Sequence, residues 1–102
     1  VSERIGKYLT VQRFGIFGRK TDAWQVFSDA GAVIGWVKWW GPWRQYTFQP
    51  EPRTVFHAGC LSDLAAFLTR ENEARRELRR RQLDEARQNL RAAFRKEGRG
   101  ST

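Results

Sequence analysis

Residues 35–48, Gly-Trp-Val-Lys-Trp-Trp-Gly-Pro-Trp-Arg-Gln-Tyr-Thr-Phe, constrain the fold more than any other part of this chain. They hold four of the five tryptophans, and Gly41-Pro42 divides two runs of strand-favouring aromatic and branched residues. The pattern predicts an antiparallel hairpin. Side chains alternate along a strand, so Val37 and Trp39 share one face while Trp36, Lys38 and Trp40 share the other. Along the second run, Arg44, Tyr46 and Phe48 oppose Trp43, Gln45 and Thr47. Neither face is polar. Such a hairpin is either covered on both sides or leaves an aromatic surface open, and an open one marks a binding site.

The flanking sequence extends the hairpin into a meander. Residues 1–6 carry no period and read as a loose lead-in, whereas Leu9 and Val11 alternate against Tyr8, Thr10, Gln12 and Phe14 in a first strand over Lys7–Phe17. Gly15 is placed to make a bulge or bend that changes the face of the apolar positions after Phe14. Gly18–Asp22 reads as a basic exposed turn. Ala23–Ser28 is a second strand, with Trp24 and Val26 opposing Gln25 and Phe27, and Asp29-Ala30-Gly31 a hairpin turn. The third and fourth strands span Ala32–Trp40 and Trp43–Gln49, and Pro50-Glu51-Pro52 stops the sheet.

A helix is expected from the neighbourhood of His57–Cys60. Leu61, Leu64, Ala65 and Leu68 fall at i, i+3, i+4 and i+7 as one apolar stripe, with Phe67 at its margin, and that stripe is expected to cover the sheet. The predicted fold class is therefore α+β: an antiparallel three- to four-stranded β-meander covered by a helix, with a long charged C-terminal helix. The expected organisation is meander plus helix start over 1–70, a charged helical extension over 71–97 and a flexible tail over 98–102.

The segment Ile34–Pro50, followed by Thr54-Val55-Phe56 and Gly59-Cys60-Leu61, resembles a segment of small uncharacterised proteins of bacteria and their phages. The resemblance implies a self-contained small domain of mobile-element origin. It assigns no activity and no functional residue, and it does not reach the polar helix beyond residue 70.

Charge narrows the partners. Net charge is +8, and residues 70–97 alone hold ten basic and six acidic side chains without Gly or Pro, so the helix can continue through them. A helix from Cys60 to Lys96 would measure about 55 Å, longer than a compact domain of this size. Either the chain bends near 70–80 and packs back, or the helix projects; projection is the favoured expectation. Glu71 with Arg75 and Glu77 with Arg81 are i, i+4 pairs that support the helix. Arg75, Arg76, Arg79, Arg80 and Arg81 form its strongest electrostatic feature, only partly relieved by Glu73 and Glu77, and a polyanion would stabilise them. The competing reading is a solvated helix face.

A second basic group, Lys38 and Arg44 beside the aromatic hairpin with Arg19 and Lys20 in another loop, could contact nucleic acid while Trp36 and Trp40 stack on unpaired bases. The alternative is that the tryptophans are core. Trp36 and Trp40 are the best candidates for exposure, because they share a face with Lys38. Farther along the helix, after an interruption between Leu68 and Leu83, an apolar stripe resumes out of step with the first at Leu83, Leu90 and Phe94 and could meet a partner protein or a second copy of the chain.

Enzyme motifs are missing from the sequence. It shows no phosphate-cradling glycine loop, metal-ligand spacing or supported acid–base pair. His57 reads as a helix-start residue, Asp63 as a charge near the helix N-terminus, and Cys60, the single cysteine, as a buried thiol in a reducing compartment. No apolar run approaches the roughly 18 residues that span a bilayer. The resulting expectation is a non-enzymatic, cofactor-free, cytoplasmic binding module of phage or mobile-element type that engages nucleic acid or a nucleoprotein complex. The rival class is a protein-interaction module, such as an inhibitor or adaptor of a bacterial enzyme, including an anti-defence protein.

Overall fold

A computed structural model describes residues 2–15 and 20–100, with side chains described through residue 94. The chain is α+β and divides into two compact units, residues 1–72 and 73–102. The first contains a five-stranded antiparallel meander, β1 (Ser2–Arg4), β2 (Leu9–Gly15), β3 (Asp22–Ser28), β4 (Val33–Trp40) and β5 (Gln45–Pro50), in sequential order. Helix α1 (Ala58–Gly100) follows, its first turns belonging to the same unit as the sheet.

The sheet has one strand more than expected, because Ser2–Arg4 is paired, not loose. Three exposed polar residues have no alternation to read. Their order comes from the β2 edge and from Arg70 on α1, whose guanidinium donates to both Glu3 carboxylate oxygens at 2.7 and 3.0 Å. This ion pair holds the Glu3 carboxyl below its usual range, with the Arg70 hydrogen bonds as the main cause, and raises Arg70 in turn. Arg70 also lies 5.0 Å from the centre of the Phe67 ring. The expected face change after Gly15 falls on residues 16 and 17, outside the described residues.

Register confirms the alternation. Val11 pairs with Val26, Trp24 with Val37, Val37 with Phe48 and Trp39 with Tyr46, placing all of these on one face. The sheet's irregularity lies in β4, where Val26 pairs with Gly35 but Phe27 with Val33, so Ile34 is the extra residue of a bulge. Gly35 itself is required by packing. A Cβ there would lie 2.7 Å from the Gln49 carbonyl oxygen and from the Phe48 ring. The β3–β4 turn is the anticipated Asp29-Ala30-Gly31, with Gly31 at φ +85° donating its N–H to Ser28 O.

At the β4–β5 end the structure differs from the hairpin expected. Gly41–Trp43 forms a 3-10 turn, and Arg44 takes a left-handed conformation with its N–H bonded to Gly41 O, so β5 begins only at Gln45. Pro42 explains the turn, since it fixes φ and supplies no ladder donor.

The core lies between the inner sheet face and the first turns of α1. Leu9, Val11, Val26 and Val37 are almost wholly buried, joined by Leu64 and Phe67 from the helix. Edge-to-face contacts run from Trp39 to Tyr46, on to Trp24 and then to Phe67, with ring centres 5.2–5.3 Å apart. The helix thus presents a face rotated from the expected one. Phe67 is central, whereas Leu61 and Ala65 are exposed, because the sheet's large rings select the position whose side chain reaches them. Helix start is marked by His57, whose Nδ1 accepts the Cys60 N–H at 3.3 Å as an N-cap does. Its ring meets Tyr8 edge-on at 4.5 Å. Cys60 is half-buried rather than fully buried.

Asn72 closes the β5 edge. Its Oδ1 accepts the Tyr46 N–H at 2.6 Å, and its Nδ2 points at the Tyr46 carbonyl at 3.5 Å, so a helix side chain supplies what another strand would. In the second unit α1 continues through Gly100, and the first three residues of the tail expected from Gly98 lie within it. No helix among the described residues is long and apolar enough to cross a membrane.

Candidate functional site

The outer face of the sheet follows from the same register. One cross-strand row reads Ser2, Gln12, Gln25, Trp36 and Gln49, and the adjacent row reads Phe14, Ala23, Lys38 and Thr47. Trp40 and Gln45 pair beyond them. None of these positions is acidic. Glu3 and Asp22 fall on the opposite parity, paired with Val11 and Gly15, and are held by Arg70 and Arg13 respectively. These rows therefore carry aromatic rings, side-chain amides, two hydroxyls, a methyl group and one ammonium group, and Arg4, on the same parity as Ser2, adds a guanidinium paired with Asp29.

At its centre Phe14 and Trp36 approach across β3, with ring centres 5.8 Å apart and planes at 44°. Ala23 on the strand between them is small enough to permit that approach and is itself buried. The Lys38 ammonium sits 5.1 Å from the Trp36 ring centre, a cation–π contact that places positive charge beside the ring. Gln25 and Gln49 flank Trp36 in its own row. The Thr47 hydroxyl is turned to the Lys38 carbonyl at 3.2 Å.

Of the residues singled out from sequence, Trp36, Lys38 and Trp40 do share this face. Trp40 is 45% exposed and Trp36 is half-buried against its neighbours. The most exposed tryptophan is Trp43, at 67%, in the turn rather than on a strand. Arg44 stands in the same turn, exposed and off the sheet rows, and Lys20 is exposed before β3. Arg19 lies outside the described residues. Phe14, Gln25 and Gln49 are not among the residues singled out from sequence; Gln25, between buried Trp24 and Val26, is the one whose alternation signals this face.

The second unit carries the other candidates on one helix. Glu77 is shared by Arg80 and Arg81, at 3.2 and 3.5 Å. Arg76 and Arg79 are exposed, with no carboxylate partner among the described residues, while Arg75 is half-exposed and engaged. Leu83, Leu90 and Phe94 are 50%, 58% and 63% exposed. Among the described residues no cluster of three or more His, Cys, Asp or Glu side chains could hold a metal. The single histidine faces Cys60, with Nε2 3.4 Å from its Sγ, at the start of α1.

Among curated proteins the chain is similar to the "Uncharacterized 9.3 kDa protein" of Acholeplasma phage L2, 33% identical over 61 residues, covering 59% of this chain and 78% of the phage protein. No protein-family model matches the chain, and no solved structure matches it significantly.

Proposed function

This chain belongs to the same family as the Acholeplasma phage L2 protein, and from that premise we propose that it is a small non-enzymatic module of phage type that binds nucleic acid or a nucleoprotein complex. The observation that carries this reading is the only partly compensated arginine cluster of residues 76–81. Exposed Arg76 and Arg79 find no carboxylate among the described residues, and the neighbouring Arg80 and Arg81 must share Glu77. Like charges held one or two helical turns apart repel, and that repulsion is relieved by a row of phosphates. Contact of this kind is largely independent of sequence, because guanidinium groups bond phosphate oxygens rather than base edges.

Titration of labelled oligonucleotides at about 50 and 200 mM salt tests the reading, since several phosphate contacts weaken binding by orders of magnitude over that range. The triple variant Arg76→Glu, Arg79→Glu, Arg80→Glu is expected to bind weakly, with a flatter salt dependence. Normal affinity in that variant would eliminate the helix as the contact.

The exposure of Leu83, Leu90 and Phe94 supports a second reading, a protein-interaction module. Large apolar side chains at this exposure along one helix are suited to a partner helix or a second copy. In that case Leu90→Asp abolishes partner binding or a dimer mass in light scattering, and added nucleic acid has no effect.

A further inference from the structure

We infer that the open face of the sheet is a site for unpaired nucleotides, with Trp36 as its stacking platform. This rests on the nucleic-acid reading and adds to it a strand form and a second surface, carried by the first compact unit. Three observations lead there.

The first is shape and chemistry together. The face presents the Phe14 and Trp36 rings in mutual contact at its centre. A base can stack on such a ring only when its own face is free, which a duplex denies it everywhere but at its ends. The second is charge. No position of the Gln12 and Phe14 rows is acidic, so nothing on them repels a phosphodiester, and Lys38 already holds its ammonium 5.1 Å from the Trp36 ring. When a base covers that ring, the flexible lysine stem lets the ammonium reach the adjoining phosphate.

The third is the amide row. Gln25 and Gln49 lie on the strands either side of Trp36 at the same level, about 5 Å away in the pairing direction. Each carries a carbonyl acceptor and N–H donors without charge, the combination that matches base edges, although Gln49 turns one N–H to the Thr47 hydroxyl at 3.5 Å and would exchange that long contact for a base. A base stacked on Trp36 therefore has hydrogen-bonding partners on both sides. An acidic peptide would engage Lys38 but leave this row of neutral amides unused.

The test compares single-stranded and duplex oligonucleotides of mixed sequence, as RNA and as DNA, by fluorescence anisotropy. Trp36→Ala is expected to weaken single-strand binding about 5- to 150-fold, the range for losing one stacked base. Duplex binding should stay unchanged. Trp36→Phe, which keeps a ring, should restore most of the affinity, and circular dichroism checks that each variant is folded. Because Trp36 is half-buried, the double variant Gln25→Ala, Gln49→Ala provides an independent arm, expected to weaken single-strand binding alone. Comparison of the RNA and DNA arms shows which sugar the face accepts. If both Trp36→Ala and the glutamine variant bind single strands normally while the arginine triple variant does not, the sheet site is overturned and the phosphate-binding reading stands. If the native chain binds no oligonucleotide, both fall.

Discussion

Replacing Asn72 with alanine removes the side chain that closes the β5 edge. The Tyr46 N–H would lose a 2.6 Å bond to Oδ1, and the Tyr46 carbonyl would lose the weaker 3.5 Å approach of Nδ2. Tyr46 is 6% exposed and Asn72 9% exposed, so water cannot readily take over both groups. A buried amide left without an acceptor costs about 1–3 kcal/mol. The lost carbonyl contact is longer than a good hydrogen bond and adds little, so a total near 2 kcal/mol is expected. For a domain of this size that corresponds to a fall in Tm of roughly 8–16 °C. Urea unfolding followed by tryptophan fluorescence is the direct assay, and the midpoint should fall while the slope is preserved. Asn72→Asp keeps an acceptor for the Tyr46 N–H and should be distinguishable from alanine. Thr69→Ala, at an exposed position on the same helix, serves as the control. A change below about 0.5 kcal/mol in Asn72→Ala, the ordinary range for surface substitutions, would refute the claim that this side chain stands in for a sixth strand.

Two further outcomes follow from packing and charge. Gly35→Ala places a methyl group 2.7 Å from the Gln49 carbonyl oxygen and the Phe48 ring, and is expected to cost about 1–3 kcal/mol in urea unfolding; a neutral result would mean that β4 and β5 separate freely there. The folded-state pKa of Glu3 is depressed, so its contribution is present above the unfolded carboxylate value and is lost as pH falls through the folded one. Both side chains of the pair are about half-exposed, which limits that contribution to below about 1 kcal/mol. Glu3→Gln should therefore flatten the acid limb of the urea midpoint below about pH 4.5, leaving the rest of the profile in place. An unchanged acid limb would remove Arg70 as the anchor of β1.

Much of the sheet was legible because β-strand alternation has a period of two and admits only two phases. Once Val37 and Trp39 share a face, Trp36, Lys38 and Trp40 must share the other, and the register obeys this. Alternation says nothing of which face the helix takes, so the same pattern left open whether Trp36 belongs to a core or to a surface. Helical periodicity is less restrictive. An apolar stripe tolerates rotation by a residue or so, and Leu61, Leu64, Ala65 and Leu68 formed an acceptable stripe even though the core uses Leu64 and Phe67. Strand β1 was illegible for a different reason, since Ser2, Glu3 and Arg4 carry no hydrophobic pattern and owe their order to neighbours.

Sequence alone determined the α+β class, the meander order, the alternation of each central strand and the concentration of positive charge beyond residue 70. These follow from local rules: side-chain period, turn chemistry and composition. Tertiary structure alone decided the fifth strand, the rotation of α1 that buries Phe67, the Asn72 clasp on Tyr46 and the meeting of Phe14 with Trp36 across Ala23. Each of those depends on residues far apart in the chain whose distance is fixed only when the sheet pairs and the helix docks, and no local period encodes such a distance.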